Sequence, residues 1–292
     1  MEGILMLPNI SNKKRLCFII LGVLLVCFVT VIFYVFSDIV IIRYNLNEFK
    51  IVNKNVEYLI DEGRPIEPIY LNYSSSKLSK LKEINIHCRE TTNLQLLKYL
   101  SSLESLTITI DDCKSNLDNT ILDSMPTMNN VTELSIVCYY GKSITDKTMW
   151  LEKFPNLSHL YILSRNLSDI SGIKKLKNLT ILEIEDMGKS MNSTFDISGL
   201  KDCEHLQHLT IKTSRSNVPD TASLYQCKNI ISLSMYSDNP EYDLNNIAKM
   251  KSLKELSVGF RLENSDKNTI ASISRQQKKF LEQLDEYNFY EY

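Results

Sequence analysis

Residues 176–184 read LKNLTILEI, and this stretch decides the fold of the chain. Apolar residues occupy its first, fourth, seventh and ninth positions, so the segment follows the pattern L-x-x-L-x-x-L-x-L. The pattern occurs eight times between residues 78 and 258, with Ile, Val, Met, Phe or Cys replacing Leu at some positions. Successive copies lie 22 to 28 residues apart, measured at the seventh position. A period in this range predicts a repeat architecture in which each unit contacts chiefly its neighbours.

Each copy ends in an alternation that is typical of a short strand. The L-x-L ending places two apolar side chains on one face and the residues around them on the other. One unit cannot bury its apolar edge alone, so neighbouring units must stack to form a continuous core. We therefore predict an α/β solenoid with a curved parallel sheet of about eight repeats.

Two segments indicate the class of repeat. Residues 169–179 (DISGIKKLKNL) and 196–200 (DISGL) resemble the internalin-like class of bacterial leucine-rich repeat proteins. The resemblance covers residues 76–263, although repeats three, four and six are long and the asparagine expected after each strand is mostly absent. The resemblance implies recognition of a protein on the concave side of the sheet, whereas the spacing by itself indicates only a solenoid.

The concave face can be read from the residues that alternate with the buried positions of each strand. They are mostly hydroxyl, acidic, histidine and tyrosine side chains. Tyrosine and histidine suit protein contacts, because they bury a large area with few rotatable bonds to immobilise. We predict a protein-binding site centred on Tyr161, Glu183, His208 and Tyr236. The alternative interpretation is an ordinary solvated sheet face, which the sequence favours equally.

An apolar run precedes the repeats. Lys13-Lys14-Arg15 is followed by residues 16–36, which carry no charged side chain. A helix of this length spans about 30 Å, the thickness of a bilayer core. The alternative, a cleaved signal peptide, is disfavoured because the run is too long and no small-residue cleavage site follows it. We predict one transmembrane helix in the lipid bilayer of the cell membrane, with residues 1–15 in the cytosol and the repeats outside it.

Caps are expected at both ends, because the terminus of a solenoid exposes core leucines. Residues 45–61 carry apolar side chains at helical spacing, which predicts a helical N-terminal cap. We therefore assign residues 37–75 to a linker and this cap. A similar stripe from Ile270 to Tyr287 predicts a C-terminal capping helix over residues 264–292. The repeat domain then spans residues 76–263.

Signals for chemistry are weak. There is no G-x-S-x-G, phosphate-binding glycine loop or H-E-x-x-H motif, so we expect no catalytic residue and no cofactor. Residues 203–208 (CEHLQH) look like a metal-ligand cluster. The repeat register turns Cys203 inward and His208 outward, so we expect no metal site. The net charge of −2 and the balance of lysines and acids disfavour nucleic acid as a partner.

Two further patterns follow the repeat. Cys203 and Cys227 occupy equivalent positions in adjacent repeats, and we interpret them as buried replacements for leucine, with a disulfide between them as the weaker alternative. The glycosylation motifs at Asn130, Asn156 and Asn178 share one position before the strand. Because asparagine suits that turn, these motifs are interpreted as by-products of the repeat.

Two functions remain open from the sequence. The first is a surface receptor or adhesin that binds a protein ligand of unknown identity on its concave sheet. The second is an envelope scaffold or regulator that holds a membrane partner and has no soluble ligand. A tyrosine-rich concave patch favours the first function, and a patch on the membrane-side flank or on the transmembrane helix favours the second.

Overall fold

A computed structural model describes most of the repeats and several flanking strands. The described residues are 26, 39–43, 49–53, 58–59, 78–88, 94–110, 120–138, 148–164, 167, 170–186, 197–213, 221–237, 244–260 and 281–291. The strands in them are β1 (Ile39–Arg43), β2 (Phe49–Asn53), β3 (Tyr58–Leu59), β4 (Glu83–Cys88), β5 (Ser105–Ile110), β6 (Glu133–Cys138), β7 (His159–Ser164), β8 (Ile181–Asp186), β9 (His208–Thr213), β10 (Ser232–Ser237), β11 (Glu255–Phe260) and β12 (Glu286–Glu291). β1 and β2 form an antiparallel pair. β3 to β12 form one parallel sheet in chain order.

The eight predicted repeats correspond to strands β4 to β11. Equivalent positions pair across the sheet, so Leu182 lies opposite Leu160 on one side and Leu209 on the other. All four apolar positions of all eight repeats are buried in one core. The predicted α/β solenoid is therefore confirmed.

Short helices carry the chain back between the strands. They are the 3-10 helices Leu94–Tyr99, Thr148–Lys153, Ser171–Lys175 and Ser198–Asp202, and the α-helices Thr120–Asp123, Thr221–Leu224 and Leu244–Ile247. Apolar side chains of these segments, including Leu97, Trp150 and Ile173, join the core from the side opposite the strands. The core is thus a single layer between the sheet and the return segments.

A shared carbonyl at the start of each strand fixes the register between repeats. The N–H groups of Thr180 and Ile181 both donate to the carbonyl of Ser158, at 2.8 and 3.0 Å. The same arrangement recurs at each strand from β5 to β12. In the middle repeats a hydroxyl adds a further bond, since Thr180 Oγ1 donates to the same carbonyl at 3.0 Å. A shift of one residue in the register of a strand would break these bonds and would turn every apolar side chain of that strand outward.

Asparagines in the preceding turn form a second link between repeats. Asn156 Nδ2 donates to the carbonyl of Asn129 at 2.8 Å, and Asn178 Nδ2 donates to that of Pro155 at 3.2 Å. Asn130 makes the equivalent bond to the repeat before it. The asparagines of these three glycosylation motifs therefore have a structural role, which supports their interpretation as products of the repeat.

The last residues of three central strands, β7 to β9, form a buried polar row. Ser164, Asp186 and Thr213 pair in register, and all three are buried. Asp186 Oδ1 accepts a hydrogen bond from the backbone N–H of Leu167 at 3.4 Å. A carboxylate can accept hydrogen bonds from backbone N–H groups in the turn after a strand. Asp186 therefore does this where the expected asparagine is absent.

The predicted helical N-terminal cap is wrong where the structure describes it. β2 and β3 lie within residues 45–61, and β1 lies just before them. β3 extends the parallel sheet, with Tyr58 opposite Glu83. Short apolar runs do not distinguish helix from strand by their spacing, and the sheet edge of β4 offers backbone partners that a helix would leave unused.

The predicted C-terminal capping helix over residues 264–292 is wrong over its last residues. β12 occupies Glu286–Glu291 and pairs in parallel with β11 over all six residues. Leu281 is helical and buried in the core, and Leu284 packs against that core. An added strand continues the backbone ladder, which a capping helix cannot do. Residues 264–280 lie outside the described residues.

The predicted transmembrane helix, residues 16–36, lies outside the described residues except for Val26, and so do residues 1–15. In the ranges that the structure describes, no helix combines the length and the apolar character that a membrane span requires.

Cys203 and Cys227 are buried free thiols, so the alternative of a disulfide between them is not formed. Cys203 Sγ donates to the carbonyl of Ile173 at 3.5 Å. Burial raises the pKa of the Cys203 thiol to about 12 and that of Cys227 to about 11. Both residues occupy the buried position that Leu176 holds in repeat five, as the sequence predicted.

Replacing Asn156 tests the asparagine link. Asn156→Ala is expected to lower the free energy of unfolding by about 0.5–1.5 kcal/mol, because the bond to the Asn129 carbonyl is lost. The control Asn129→Ala keeps that carbonyl and should cost less than about 0.5 kcal/mol. Urea unfolding followed by the fluorescence of Trp150, the single tryptophan, measures both. Equal effects of the two substitutions would contradict the link.

The two thiols are expected to resist alkylation in the folded chain. At pH 8 the native reaction of Cys203 and Cys227 with iodoacetamide should be at least about 100-fold slower than in urea, because the thiolate is the nucleophile. The raised pKa values also mean that stability is lost as the pH rises above the unfolded value of 9.0 toward 11 and 12. Peptide mapping by mass spectrometry measures each rate, and similar native and unfolded rates would contradict the burial.

Candidate protein-binding face

One face of the parallel sheet is formed by the strand residues that alternate with the core. In β8, for example, Glu183 and Glu185 are half-buried, whereas the residues between and beside them are buried. We call this surface, made of the first, third and fifth residues of β4 to β12, the concave face. In the eight predicted repeats, wherever the structure describes the burial of these positions, they are exposed or half-buried as predicted, except that Leu163 and Gly259 are buried. Leu163 is only 7% exposed.

The four predicted site residues lie on four adjacent strands, β7 to β10. Tyr161 and Glu183 are direct neighbours across β7 and β8. His208 lies on β9 opposite Ile181. It stands two residues before Thr210, which is the residue opposite Glu183. Tyr236 lies on β10, opposite Lys212. With strands about 4.8 Å apart, the four side chains lie within a region about 14 Å wide, with Thr210 and Lys212 between His208 and Tyr236.

A diagonal contact joins β7 to β8. His159 Nε2 lies 3.1 Å from Glu183 Oε1, and the side chains are 33% and 39% exposed. In the register His159 faces Ile181, so the contact reaches two residues along the neighbouring strand. Diagonal neighbours in a sheet lie within reach of long side chains. His159 thereby orients the carboxylate that we predicted at the centre of the site.

A second network joins β7, β8 and β9 through one carboxylate oxygen. The hydroxyl of Tyr161 donates to Glu185 Oε2 at 3.4 Å. Lys212 Nζ lies 3.6 Å from the same oxygen. Glu185 and Lys212 are directly opposite each other in the register. The ring of Tyr161 is therefore held beside two carboxylates in the middle of the sheet.

Three residues of this arrangement, His159, Glu185 and Lys212, were not assigned to the predicted site. Their outward direction follows from the alternation along each strand. Their contacts with Tyr161 and Glu183 join residues that lie two positions apart along neighbouring strands, and the pattern of a single strand does not reveal such contacts. An acidic residue two positions beyond an aromatic or histidine in the neighbouring repeat is the signal that would have found them.

The side chains of residues 203–208, which resemble a metal-ligand cluster only in the linear sequence, lie in different places. Cys203 is buried, Glu204 and His205 are exposed in the following turn, and His208 lies on the concave face. In the described ranges of the chain, no three His, Cys, Asp or Glu residues lie close enough together to hold a metal ion.

The Glu185–Lys212 pair is expected to contribute little to stability. Its side chains are 30% and 49% exposed, and exposed pairs contribute about 0.2–1 kcal/mol. A double-mutant cycle with Glu185→Gln and Lys212→Gln should give a coupling free energy below about 1 kcal/mol. Urea unfolding of the four proteins measures it. A coupling above about 2 kcal/mol would assign the pair to the maintenance of the fold.

The chain is similar to several solved structures. Solved structures similar to the chain include internalin C2 from Listeria monocytogenes, at 18% identity and a TM-score of 0.43, covering 74% of this chain and 84% of that one. A second is the internalin InlF from the same organism, at 18% identity and a TM-score of 0.40, covering 73% and 62%. A third is the functional domain of InlJ from Listeria monocytogenes, described as including a cysteine ladder, at 13% identity and a TM-score of 0.28, covering 82% and 55%. The chain thus spans less than two thirds of the InlF and InlJ structures.

The family itself is given by a sequence model. No curated protein matches the chain significantly. Residues 45–215, more than half of the 292, match the family described as plant disease resistance protein RPS2-like, leucine-rich repeats. The leucine-rich repeat architecture predicted from the spacing is therefore confirmed, and the chain belongs to this leucine-rich repeat family.

Proposed function

We propose that this protein is anchored in the cell membrane by residues 16–36 and recognises a protein ligand through its concave face, without catalysis. The observation that carries the proposal is that Tyr161, Glu183, His208 and Tyr236 share one face of the sheet on the adjacent strands β7 to β10. Tyrosines of this kind, half-buried and flanked by oriented polar groups, are frequent among the residues that dominate protein interfaces.

The size of the sheet sets how much of it a partner must contact. Eight spacings of about 4.8 Å and strands of about 20 Å give the concave face an area of about 770 Å². A stable interface buries about 800 Å² on each partner. The region of these four residues alone is far smaller, so the ligand must extend over most of the concave face, with that region near the middle of the interface.

The position of the repeats relative to the membrane is part of the proposal. The basic residues 13–15 before the apolar run support a cytosolic N-terminus and an extracytoplasmic repeat domain. The same run also supports the second candidate function, an envelope scaffold or regulator whose membrane partner binds the helix itself. The two functions differ in which surface holds the partner.

The test is capture of surface and secreted proteins by the full-length chain in lipid nanodiscs. Tyr161→Ala with Tyr236→Ala should weaken capture of the specific partner by about tenfold or more, because truncation of a central aromatic removes more than about 1 kcal/mol. The matched control is Tyr99→Ala with Tyr225→Ala, which removes two exposed tyrosines from return segments. That control should retain capture.

Two outcomes would contradict concave recognition. One is an equal loss of capture with both tyrosine pairs. The other is a partner that remains bound to both variants and is released when residues 16–36 are replaced by a different apolar helix, which would establish the scaffold function instead.

A further inference from the structure

Charge is distributed unequally between the two sides of the solenoid. The concave face carries six carboxylates and one lysine: Glu83, Glu133, Glu183, Glu185, Glu255, Glu286 and Lys212. Its net charge is therefore −5, counting histidine as neutral. The other described residues between 78 and 260 include twelve lysines and six acids, so they carry a net charge of +6. The whole chain carries −2. The sheet face is strongly acidic although the protein is nearly neutral.

Lysines of the described repeats other than Lys212 lie on the return segments or in the turns before the strands. Lys98, Lys153 and Lys175, for example, each stand in the last turn of a 3-10 helix. Segregation of this kind gives the concave face a negative potential, which steers the approach of a positively charged partner and repels acidic ones.

The two central carboxylates retain acceptor capacity. Among the described residues, Glu183 is engaged through Oε1 by His159, and Glu185 is engaged through Oε2 by Tyr161 and Lys212. The contacts of each carboxylate thus involve one of its two oxygens, although an ionised carboxylate offers about four acceptor sites. The two residues stand on one face of β8, about 6.6 Å apart along the strand.

We propose that the concave face binds a basic protein segment, whose arginine side chains contact Glu183 and Glu185. The inference rests on the proposed function and adds the chemistry of the ligand. Arginine suits the site better than lysine, because its planar guanidinium donates to a carboxylate and stacks on an aromatic ring at once. Tyr161, bonded to Glu185, offers such a ring beside the carboxylates.

The probe is a dye-labelled peptide of nine arginines, with nine-lysine and nine-glutamate peptides for comparison. Binding to the full-length chain is measured by fluorescence anisotropy in nanodiscs of uncharged (zwitterionic) lipid. The test variant is Glu183→Gln with Glu185→Gln. The matched control is Asp202→Asn with Glu204→Gln, which removes two exposed acids from one return segment. Both variants change the net charge equally, so they differ only in the place of the lost charges.

The arginine peptide should bind more tightly than the lysine peptide, and much more tightly than the glutamate peptide. The concave variant should weaken its binding about tenfold, and the control variant by less than about twofold. Affinity should fall between about 0.05 M and about 0.5 M NaCl, because salt screens exposed charges. Equal losses in the two variants, or no preference for the arginine peptide over the glutamate peptide, would overturn the proposal.

The same variants separate this inference from the proposed function. If the captured partner is released by the Tyr161/Tyr236 variant but retained by the Glu183/Glu185 variant, protein recognition stands and the basic ligand is rejected. If the concave glutamate variant and the tyrosine variant both release it, and the acid control does not, both proposals are supported. Retention of the partner by both concave variants would reject both.

Discussion

The structure depends on one constraint: a leucine of this chain is buried only when the neighbouring repeats are stacked on its own. Leu182 is fully buried between Leu160 and Leu209, and the return helices close the core from behind. Burial of one such side chain contributes about 1.5–3 kcal/mol, so no single repeat offsets the entropy of ordering its two dozen residues. Stability therefore belongs to the stack. The carbonyl that receives two N–H groups at the start of each strand keeps equivalent residues opposite each other throughout the sheet.

The same register creates the concave face. Because equivalent positions are aligned without an offset, each outward side chain has fixed neighbours on the adjoining strands: one directly opposite, and others two residues along the strand. The contacts from His159 to Glu183 and from Tyr161 to Glu185 are both diagonals of that kind. Inward positions then determine stability, and outward positions determine the chemistry of the concave face. The two sets are almost independent, since successive residues of a strand point to opposite faces. An acidic, tyrosine-containing face can consequently be carried on an unremarkable aliphatic core.

The ends of the solenoid follow backbone hydrogen bonding more than side-chain pattern. β3 and β12 extend the sheet beyond the eight repeats, and each pairs in parallel with the strand beside it. Residues 45–61 and the last residues of the chain carry apolar side chains at spacings that fit a helix. A sheet edge presents a row of unpaired N–H and C=O groups, and a strand satisfies them where a helix does not. Apolar spacing in short segments does not distinguish a helix from a strand, so the backbone hydrogen bonds decide between them.

The sequence by itself determined the number of repeats, the identity of the buried positions and the outward direction of the concave residues, because period and alternation are properties of a single strand and of its copies. It also determined that Cys203 and Cys227 replace leucine, since their place in the repeat is inward. Only the tertiary structure decided which outward side chains touch. It also decided that a buried Asp186 serves the turn after the preceding strand, and that strands close the ends. These features depend on distances between residues about 20 or more positions apart, and such distances are set by the stacking of repeats rather than by local pattern.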